Sequence, residues 1–295
     1  MTIDGKPLLV VNPTAGNGRG GREWNRLKDQ VGNRAELLLA PDSETVRVGI
    51  ARAIAAGTRR VIGFGGDGTA NLLISSLLAE GRGDVEFAVV PAGTASDFAR
   101  DAGLPRDPAK ALELALTSKK TRAIDAVALR FESGKVRYSL NVASAGVSGK
   151  VDEAHRDKSS GYLAATVKAL LAYKPKPCRI EVDGQPFYDG EFFLIAMANA
   201  RYFGKAMKVA PHAKLDDGLI DVVLIHVLPL WHLPLRLPQF LFGWHSGSSV
   251  VKETRARQLK LYPGKDFPPY DLDGEAVPAE NATVEILPGA LRLVV

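Results

Sequence analysis

Aspartates beside glycine turns are the residues of this sequence with the clearest potential for chemistry. Asp67 lies in "GFGGDGTAN", Asp97 in "PAGTASDFAR" and Asp273 in "LDGE". A carboxylate can ligate a hard cation such as Mg²⁺, accept a proton from a hydroxyl, or cap a helix. The glycines beside it let the backbone approach an anion closely. The combination points to phosphate chemistry, although each aspartate is also open to a purely structural interpretation.

The loop "NPTAGNGRGG" places Gly16, Gly18 and Gly21 in the G-x-G-x-x-G spacing of dinucleotide-binding turns. Asn12 and Pro13 separate these glycines from the preceding strand run, which is untypical of a Rossmann turn. We therefore favour a phosphate-facing loop over a Rossmann turn, and a plain surface loop is the third alternative.

The segment "VIGFGGDGTANLLISSL" is more specific, because glycines flank Asp67 on both sides at the start of a predicted helix. It is not a P-loop, since no Gly-Lys-Ser/Thr follows. Asp67 either caps this helix or faces nucleotide phosphates through Mg²⁺, because a bare carboxylate would repel them. The turn around Thr94 and Asp97 offers the same choice between ordinary capping and phosphate contact.

Alternating strand and helix patterns fill residues 1–125 and predict a parallel sheet covered by helices on both faces. Within it, Asp107 and Pro108 form a strong helix start. Residues 126–295 are richer in strands, with hairpins around Ser133-Gly134 and Asp183-Gly184. We predict an α/β domain over 1–125 and a mainly antiparallel domain over 126–295, with helices at "GYLAATVKALLAY" and near "WHLPLRLPQFLF". The last strand can return toward the first domain.

The composition and the absence of several motifs argue against some classes of protein. The net charge of +5 is spread along the 295 residues without a block of like charges, which argues against a nucleic-acid surface. One cysteine, Cys178, cannot form an internal disulfide, so we expect a reducing, cytoplasmic setting. The histidines form no zinc motif, which argues against a zinc enzyme. No G-x-S-x-G elbow is present, which argues against a serine hydrolase. We find neither a signal peptide nor a spanning stretch of about 20 apolar residues.

The segment "VLPLWHLPLRLPQFLFGWHSG" combines Trp231, Phe242 and Trp244 with Arg236. Aromatic amphipathic segments of this kind can lie in a membrane interface. We therefore expect a soluble or peripheral protein, with contact at the inner face of the membrane as a hypothesis. The alternative is a helix packed on the second domain.

Five motifs, "NPTAG", "GGDGTAN", "PAGTASDFAR", "PHAKLDDGLIDVVLI" and "LDGE", follow one another in this order. The series resembles the diacylglycerol kinase catalytic family, most closely the soluble bacterial lipid kinases related to sphingosine and ceramide kinases. GGDGT also occurs in NAD kinases and phosphofructokinases, whereas "KLDDG" followed by "DGE" is specific. The resemblance implies a three-layer α/β domain like that of NAD kinase and phosphofructokinase, and a β-sandwich second domain.

The resemblance also implies an ATP site between the domains and an activity that phosphorylates a hydroxyl of diacylglycerol or a similar lipid. Asp273 would be the general base, and Asp67 and Asp97 would join the catalytic metal and water network. Mg²⁺ would bind Asp217 and the main-chain oxygens of Lys214 and Leu219. The nucleotide would contact Asn12, Gly65, Gly66, Asp67, Gly68, Thr69, Ala70, Asn71 and Thr94.

Several alternatives stay open. Ser96 stands where the family usually has asparagine, and Leu39 and Ala40 stand where some relatives offer threonine to the nucleotide. Taken alone, "LDGE" indicates a type I′ hairpin turn and "LDDGLI" a solvated acidic turn. An NAD-kinase-like enzyme and a non-catalytic lipid- or nucleotide-binding regulator are the rival functions, and a homodimer stays open.

Overall fold

A computed structural model describes residues 5–39, 42–148, 173–204, 206–226, 239 and 242–295. The chain divides into two compact units, one formed by Met1–Ala126 with Pro288–Val295 and the other by Val127–Leu287. The helices predicted at "GYLAATVKALLAY" and near "WHLPLRLPQFLF" lie almost entirely outside the described residues.

The first unit alternates strands and helices along the chain, as the sequence predicts. Strands β1 to β4 pair in parallel in the order β2-β1-β3-β4. The end of the last strand, β16, adds to β4 in parallel. The elements are β1 (Leu8–Val11), α1 (Ala15–Val31), β2 (Glu36–Leu39), α2 (Ser43–Ala55), β3 (Arg60–Gly65), α3 (Asp67–Ala79), β4 (Glu86–Pro91), α4 (Asp97–Asp101) and α5 (Pro108–Thr117).

Successive residues of β3 show why helices cover both faces of this sheet. Ile62 and Phe64 are fully buried in a core cluster with residues of α1 and α5. Gly63, between them, points the other way, because a Cβ placed on it would lie 3.0 Å from Leu73 of α3. Since strand side chains alternate between faces, the sheet is buried on both sides. The predicted three-layer α/β arrangement is confirmed.

Helix α5 begins where the sequence places it. Asp107 is the N-cap, and its Oδ1 accepts a hydrogen bond of 2.9 Å from the backbone N–H of Lys110. Pro108 takes the first helical position, where its missing N–H costs nothing.

The second unit is built from antiparallel strands. One sheet has the order β12-β11-β10-β7-β14-β15; in the other, β8 pairs with β9 and β13, and β13 pairs with β16. The strands are β5 (Thr121–Phe131), β6 (Val136–Ser139), β7 (Val142–Gly146), β8 (Lys176–Val182), β9 (Gln185–Phe192), β10 (Leu194–Ala198), β11 (Ile220–Ile225), β12 (Val251–Ala256), β13 (Gln258–Pro263), β14 (Tyr270–Leu272), β15 (Glu275–Val277) and β16 (Ala282–Val294). The chain enters this unit along β5 and leaves it along β16.

One hydrophobic core joins the two sheets of the second unit. Met197 and Val222 of the first sheet lie in the same buried cluster as Ile180 and Leu259 of the second. Two antiparallel sheets that share a core in this way form a β-sandwich, as predicted. Among the helices that the structure describes, none is long and apolar enough to cross a membrane.

We predict that Asp107→Ala lowers the free energy of unfolding by about 1 kcal/mol, because the N–H of Lys110 loses its acceptor. Chemical denaturation measures the change. Asp107→Asn is the matched control and should stay close to wild type, since asparagine is an equally good N-cap. Equal stabilities of wild type and Asp107→Ala would contradict the prediction.

Candidate active site

Three loops of the first unit meet at one edge of its parallel sheet. Strands β1, β3 and β4 are neighbours and run in the same direction, so the segments that follow them emerge side by side. These segments carry "NPTAG", "GGDGTAN" and "PAGTASD". The carboxyl edge of a parallel sheet is where α/β proteins bind ligands. The fold therefore gathers the three motifs at the position expected of a binding site.

The second and third loops touch backbone to backbone. The carbonyl of Gly65 accepts hydrogen bonds from the N–H groups of Ala92, at 2.7 Å, and Gly93, at 3.2 Å. A Cβ placed on Gly93 would lie 2.5 Å from the Cα of Gly66. Such a distance is far below a van der Waals contact, so both glycines are required by the close approach itself.

The first loop reaches the third through left-handed backbone. Gly16, Asn17 and Gly18 have φ values of 59°, 54° and 81°, so the regular part of α1 begins after them. A Cβ on Gly16 would lie 3.0 Å from the carbonyl oxygen of Ala92. Arg19 donates a hydrogen bond of 3.4 Å to the carbonyl of Gly93. The glycines of this loop therefore serve the packing of the first loop against the third.

Asn12 links the first loop to the second. Its Nδ2 donates to Thr69 Oγ1 at 3.1 Å, and its Oδ1 accepts from the N–H of Thr14 at 3.1 Å. Of the other residues predicted to contact nucleotide, Gly68 and Thr94 are exposed, whereas Ala70 and Asn71 are buried in α3. The structure thus brings Asn12 and Thr69 together and leaves Gly68 and Thr94 open to solvent.

Asp67 caps a helix, but not the helix it begins. Helix α3 starts at Asp67 with Gly66 as N-cap and no side-chain hydrogen bond at the cap. The Asp67 carboxylate instead accepts from the backbone N–H groups of Asp97, at 3.1 Å, and Phe98, at 2.9 Å, at the start of α4. A carboxylate at a helix start satisfies N–H groups that have no partner within the helix. Asp67 therefore fixes the third loop against the second.

Two neighbours complete this turn. Ser96 precedes α4 with a left-handed φ of 51°. Asparagine, the residue that the resemblance leads us to expect at this position, tolerates that conformation better than serine. Asp97 is almost fully buried, and its Oδ1 lies 3.4 Å from Nη1 of Arg100.

In the second unit, Asp273 occupies the tight turn between β14 and β15. Asp273 and Gly274 have φ values of 54° and 89°, which is the type I′ geometry expected from Asp-Gly. The Asp273 carboxylate also accepts hydrogen bonds from the segment that leads into β7. Its oxygens accept from the N–H groups of Leu140 at 2.6 Å and Val142 at 3.0 Å. Ser139 Oγ and the N–H of Asn141 donate at 3.0 Å each.

Burial raises the pKa of Asp273 from its ordinary value of 3.8 to about 6. Removal from water disfavours the charged carboxylate, and the hydrogen bonds from residues 139–142 oppose this shift by stabilising it. A carboxyl group that titrates near 6 is mostly ionised at neutral pH but is a stronger base than a solvated aspartate.

Comparison with protein-family models matches both units. The model of the diacylglycerol kinase catalytic domain matches residues 6–129. The model described as the YegS C-terminal NAD kinase beta sandwich-like domain matches residues 141–295, more than half of the chain. The chain belongs to the family of YegS-like lipid kinases and diacylglycerol kinases. The resemblance of the five motifs to this family is confirmed.

Individual relatives of this lipid kinase family match along nearly the whole chain. A protein of Pseudomonas aeruginosa named probable lipid kinase YegS-like is 30% identical, over 98% of this chain and 93% of its own. A diacylglycerol kinase of Mycobacterium tuberculosis is 28% identical over 93% of each chain.

Solved structures show that the fold is shared. A crystal structure of a diacylglycerol kinase from Bacillus anthracis str. Sterne superposes with a TM-score of 0.73 at 22% identity, covering 100% of this chain and 98% of its own. An NAD kinase from Archaeoglobus fulgidus in complex with ATP gives a TM-score of 0.53 at 16% identity, with coverage of 98% and 93%. The predicted relation to the NAD kinase fold is confirmed.

Asp217, where the resemblance implies a metal site, lies near a second carboxylate, that of Asp221, and both lie close to Arg255. Asp217 Oδ1 accepts from the N–H of Leu219 at 3.2 Å. Asp221, which the sequence analysis missed, is buried, and its Oδ2 has no hydrogen-bond partner among the described residues. Burial raises the pKa of Asp221, and the charge of Asp217 adds to that shift. Asp221 is a single acidic residue inside the apolar run "GLIDVVLI", and this pattern in the sequence could have identified it.

Arg255 already supplies one positive charge to this cluster. Its Nε lies 3.2 Å from Asp221 Oδ1, and its Nη1 lies 3.8 Å from Asp217 Oδ2. The two carboxylates of Asp217 and Asp221 and the one guanidinium of Arg255 together carry one net negative charge. Within the described residues, no group of three or more histidine, cysteine, aspartate or glutamate side chains is placed to hold a metal. A cation here would therefore depend on main-chain oxygens such as those of Lys214 and Leu219.

We predict that Gly93→Ala severely destabilises the first unit of this lipid kinase, because its Cβ collides with the backbone of Gly66. Gly68→Ala is the matched control, since no atom of the described residues outside its chain neighbours and its own helix backbone lies within 4 Å of the added Cβ. Thermal unfolding of both variants measures the difference, and we expect Gly68→Ala to melt near wild type. A Gly93→Ala variant as stable as Gly68→Ala would show that the loops do not require this contact.

Proposed function

We propose that this protein is an ATP- and Mg²⁺-dependent lipid kinase that phosphorylates a hydroxyl of diacylglycerol or of a similar lipid. The observation that carries the proposal is the packing of three glycine-containing loops at the carboxyl edge of the parallel sheet, held by the contact between Gly66 and Gly93. The names of the relatives support a lipid acceptor and a kinase reaction.

Loops packed in this way suit a nucleotide triphosphate. The exposed Gly68, at the start of α3, and the exposed Thr94, in the loop before α4, would present backbone N–H groups and a hydroxyl to the phosphates. Because Asp67 holds the start of α4, these donors are fixed before a ligand arrives. Phosphoryl transfer depends mainly on such positioning and on charge neutralisation. When bound, ATP with Mg²⁺ supplies the phosphoryl group and the cation that offsets its charge.

Asp67 and Asp97 would take part in the metal and water network of the phosphates. Both oxygens of Asp67 already accept one backbone N–H each, which leaves about one lone-pair direction on each oxygen. A cation or water placed there would lie between the carboxylate and the phosphates and would remove their mutual repulsion.

Asp273 would accept the proton of the lipid hydroxyl. Among the described residues, its carboxylate accepts hydrogen bonds from three backbone N–H groups and from one hydroxyl. The fourth, the hydroxyl of Ser139, can rotate about its C–O bond. Ser139 is thus the donor whose withdrawal would free a lone pair of Asp273 for the substrate proton.

A second Mg²⁺ site would use Asp217 and the main-chain oxygens of Lys214 and Leu219. The buried Asp221 carboxylate and the excess negative charge beside Arg255 support a cation at this position. Hard oxygen ligands of this type select Mg²⁺ or Ca²⁺ over softer metals. Its role would be structural, because the ligands belong to a turn that precedes β11.

Phosphorylation assays separate the proposal from its rivals. We expect radiolabelled γ-phosphate of ATP to move to a lipid in an extracted lipid panel resolved by thin-layer chromatography, and not to NAD. Omission of Mg²⁺ with a chelator should abolish transfer. Labelled NADP with unlabelled lipids would establish an NAD-kinase-like enzyme instead. Nucleotide binding without any labelled product across the panel would favour a non-catalytic regulator.

We predict that Asp273→Asn folds and binds nucleotide but loses phosphoryl transfer by orders of magnitude, because the proton acceptor is removed. Asparagine also offers one oxygen in place of two, so buried N–H groups lose an acceptor at a cost of roughly 1–3 kcal/mol. Melting curves and nucleotide binding therefore accompany the assay. Glu275→Gln is the matched control, since Glu275 is an exposed carboxylate in the same turn. Near-normal transfer in Asp273→Asn with loss in Glu275→Gln would move the base to Glu275.

The pH dependence follows from the same carboxyl group. The active base is ionised, so kcat/KM should rise with pH through an apparent pKa of about 6. The stability contribution of Asp273 has the opposite sign: the folded state holds this proton more tightly than the unfolded state, so stability falls as pH rises from 3.8 to about 6. A pH–rate profile of wild type and Glu275→Gln checks the first statement, and a profile that is flat across pH 6 would contradict it.

A further inference from the structure

Two aromatic side chains of the second unit are held in solvent rather than in a core. Phe242 is 58% exposed and Trp244 is 72% exposed. Their rings stack on each other, with centroids 4.9 Å apart and an interplanar angle of 28°. A single exposed apolar residue is ordinary, but two large rings stacked together in water form a small apolar surface. We call Phe242 and Trp244 the aromatic pair.

The backbone beneath the aromatic pair is fixed. Gly243 lies between the two rings with a left-handed φ of 74°, and a Cβ on it would lie 2.9 Å from Cγ of Pro211. The N–H of Trp244 donates to the carbonyl of Gln239 at 2.7 Å. His245, fully buried, lies 3.0 Å from the carbonyl oxygen of Val209 through Nε2. These contacts hold the turn that carries the aromatic pair.

We propose that the aromatic pair is an interfacial anchor that inserts into the surface of a lipid bilayer bearing anionic headgroups. This inference deepens the proposed function, on which it rests for the statement that the acceptor is a lipid. It names the surface on which the protein would reach that lipid and the two side chains that would hold it there.

The size of the aromatic pair favours a membrane over a protein partner. Two aromatic side chains can bury roughly 150–250 Å² each. A stable protein interface needs about 800 Å² from each partner. A bilayer requires no matched surface, and tryptophan and phenylalanine partition well into its interfacial layer.

The charge around the aromatic pair favours anionic headgroups. The stem of Lys208 packs against Gly243, which lies between the two aromatic residues, since a Cβ there would lie 3.0 Å from Lys208 Cδ. Glu253, an acidic residue on this side of the unit, accepts a hydrogen bond of 3.0 Å from Ser246 Oγ. Basic groups beside an apolar insertion strengthen binding to anionic lipid.

Vesicle flotation of the full chain tests the anchor. Wild type should float with vesicles of phosphatidylcholine and phosphatidylglycerol. The double variant Phe242→Ser/Trp244→Ser should lose at least about tenfold in partitioning, because two large apolar side chains no longer leave water. The matched control, Leu37→Ser/Leu39→Ser, removes two side chains that are 46% and 54% exposed in the first unit and should float like wild type. Lys208→Gln should weaken binding to the anionic vesicles but not to vesicles of phosphatidylcholine alone.

Three results would overturn the proposal. The first is a wild type that does not float, and the second is equal flotation of wild type and the Phe242→Ser/Trp244→Ser variant. The third is light scattering that shows a wild-type dimer and a monomeric double variant, which would assign the aromatic pair to a second copy of the chain.

The kinase reaction is measured separately, on a short-chain diacylglycerol dissolved as monomers. Retained transfer by the double variant on this substrate supports the anchor, because only access to the membrane has changed. Flotation that depends on the aromatic pair, together with no transfer to any lipid, would reject the proposed kinase function and leave the membrane anchor standing.

Discussion

The contact between Gly66 and Gly93 is the constraint on which the first unit's candidate site depends. Parallel pairing of β3 and β4 sets the two strand ends side by side, and the shared carbonyl of Gly65 draws the next loop inward. At that separation no side chain fits between the backbones. Glycine is therefore required for packing as well as for access to a phosphate. The pairing of the two strands therefore produces a surface in which backbone groups, rather than side chains, face a ligand.

Asp67 and Asp273 each accept hydrogen bonds from a backbone segment that is far away in sequence. Asp67 receives two N–H groups from the start of α4, and Asp273 receives three from residues 140–142. Charged acceptors make stronger hydrogen bonds than neutral ones. The same side chains that could serve catalysis thus first fix the loops around them. Because these groups are already in place, they need no rearrangement when a reaction begins.

The sequence predicted those features that depend on local signals. Strand and helix alternation, the Asp107 cap and the Asp-Gly turns all follow from short-range preferences, and the structure has each of them. It did not predict where Asp67 would direct its carboxylate, because the partner amides lie 30 and 31 residues further on. Asp221 was missed for a related reason: its role arises from Arg255, on the neighbouring strand β12.

Asp273 shows why the structural and the catalytic interpretations of "LDGE" do not compete. A type I′ turn accepts Asn-Gly as readily as Asp-Gly, so turn geometry alone does not require a carboxylate. The four donors from residues 139–142 do require one, because an amide would turn its own N–H groups toward some of them. Their hydrogen bonds keep the half-buried group ionised at neutral pH, while its partial removal from water keeps its pKa near 6. A carboxylate poised between these two effects is both a structural acceptor and a usable base.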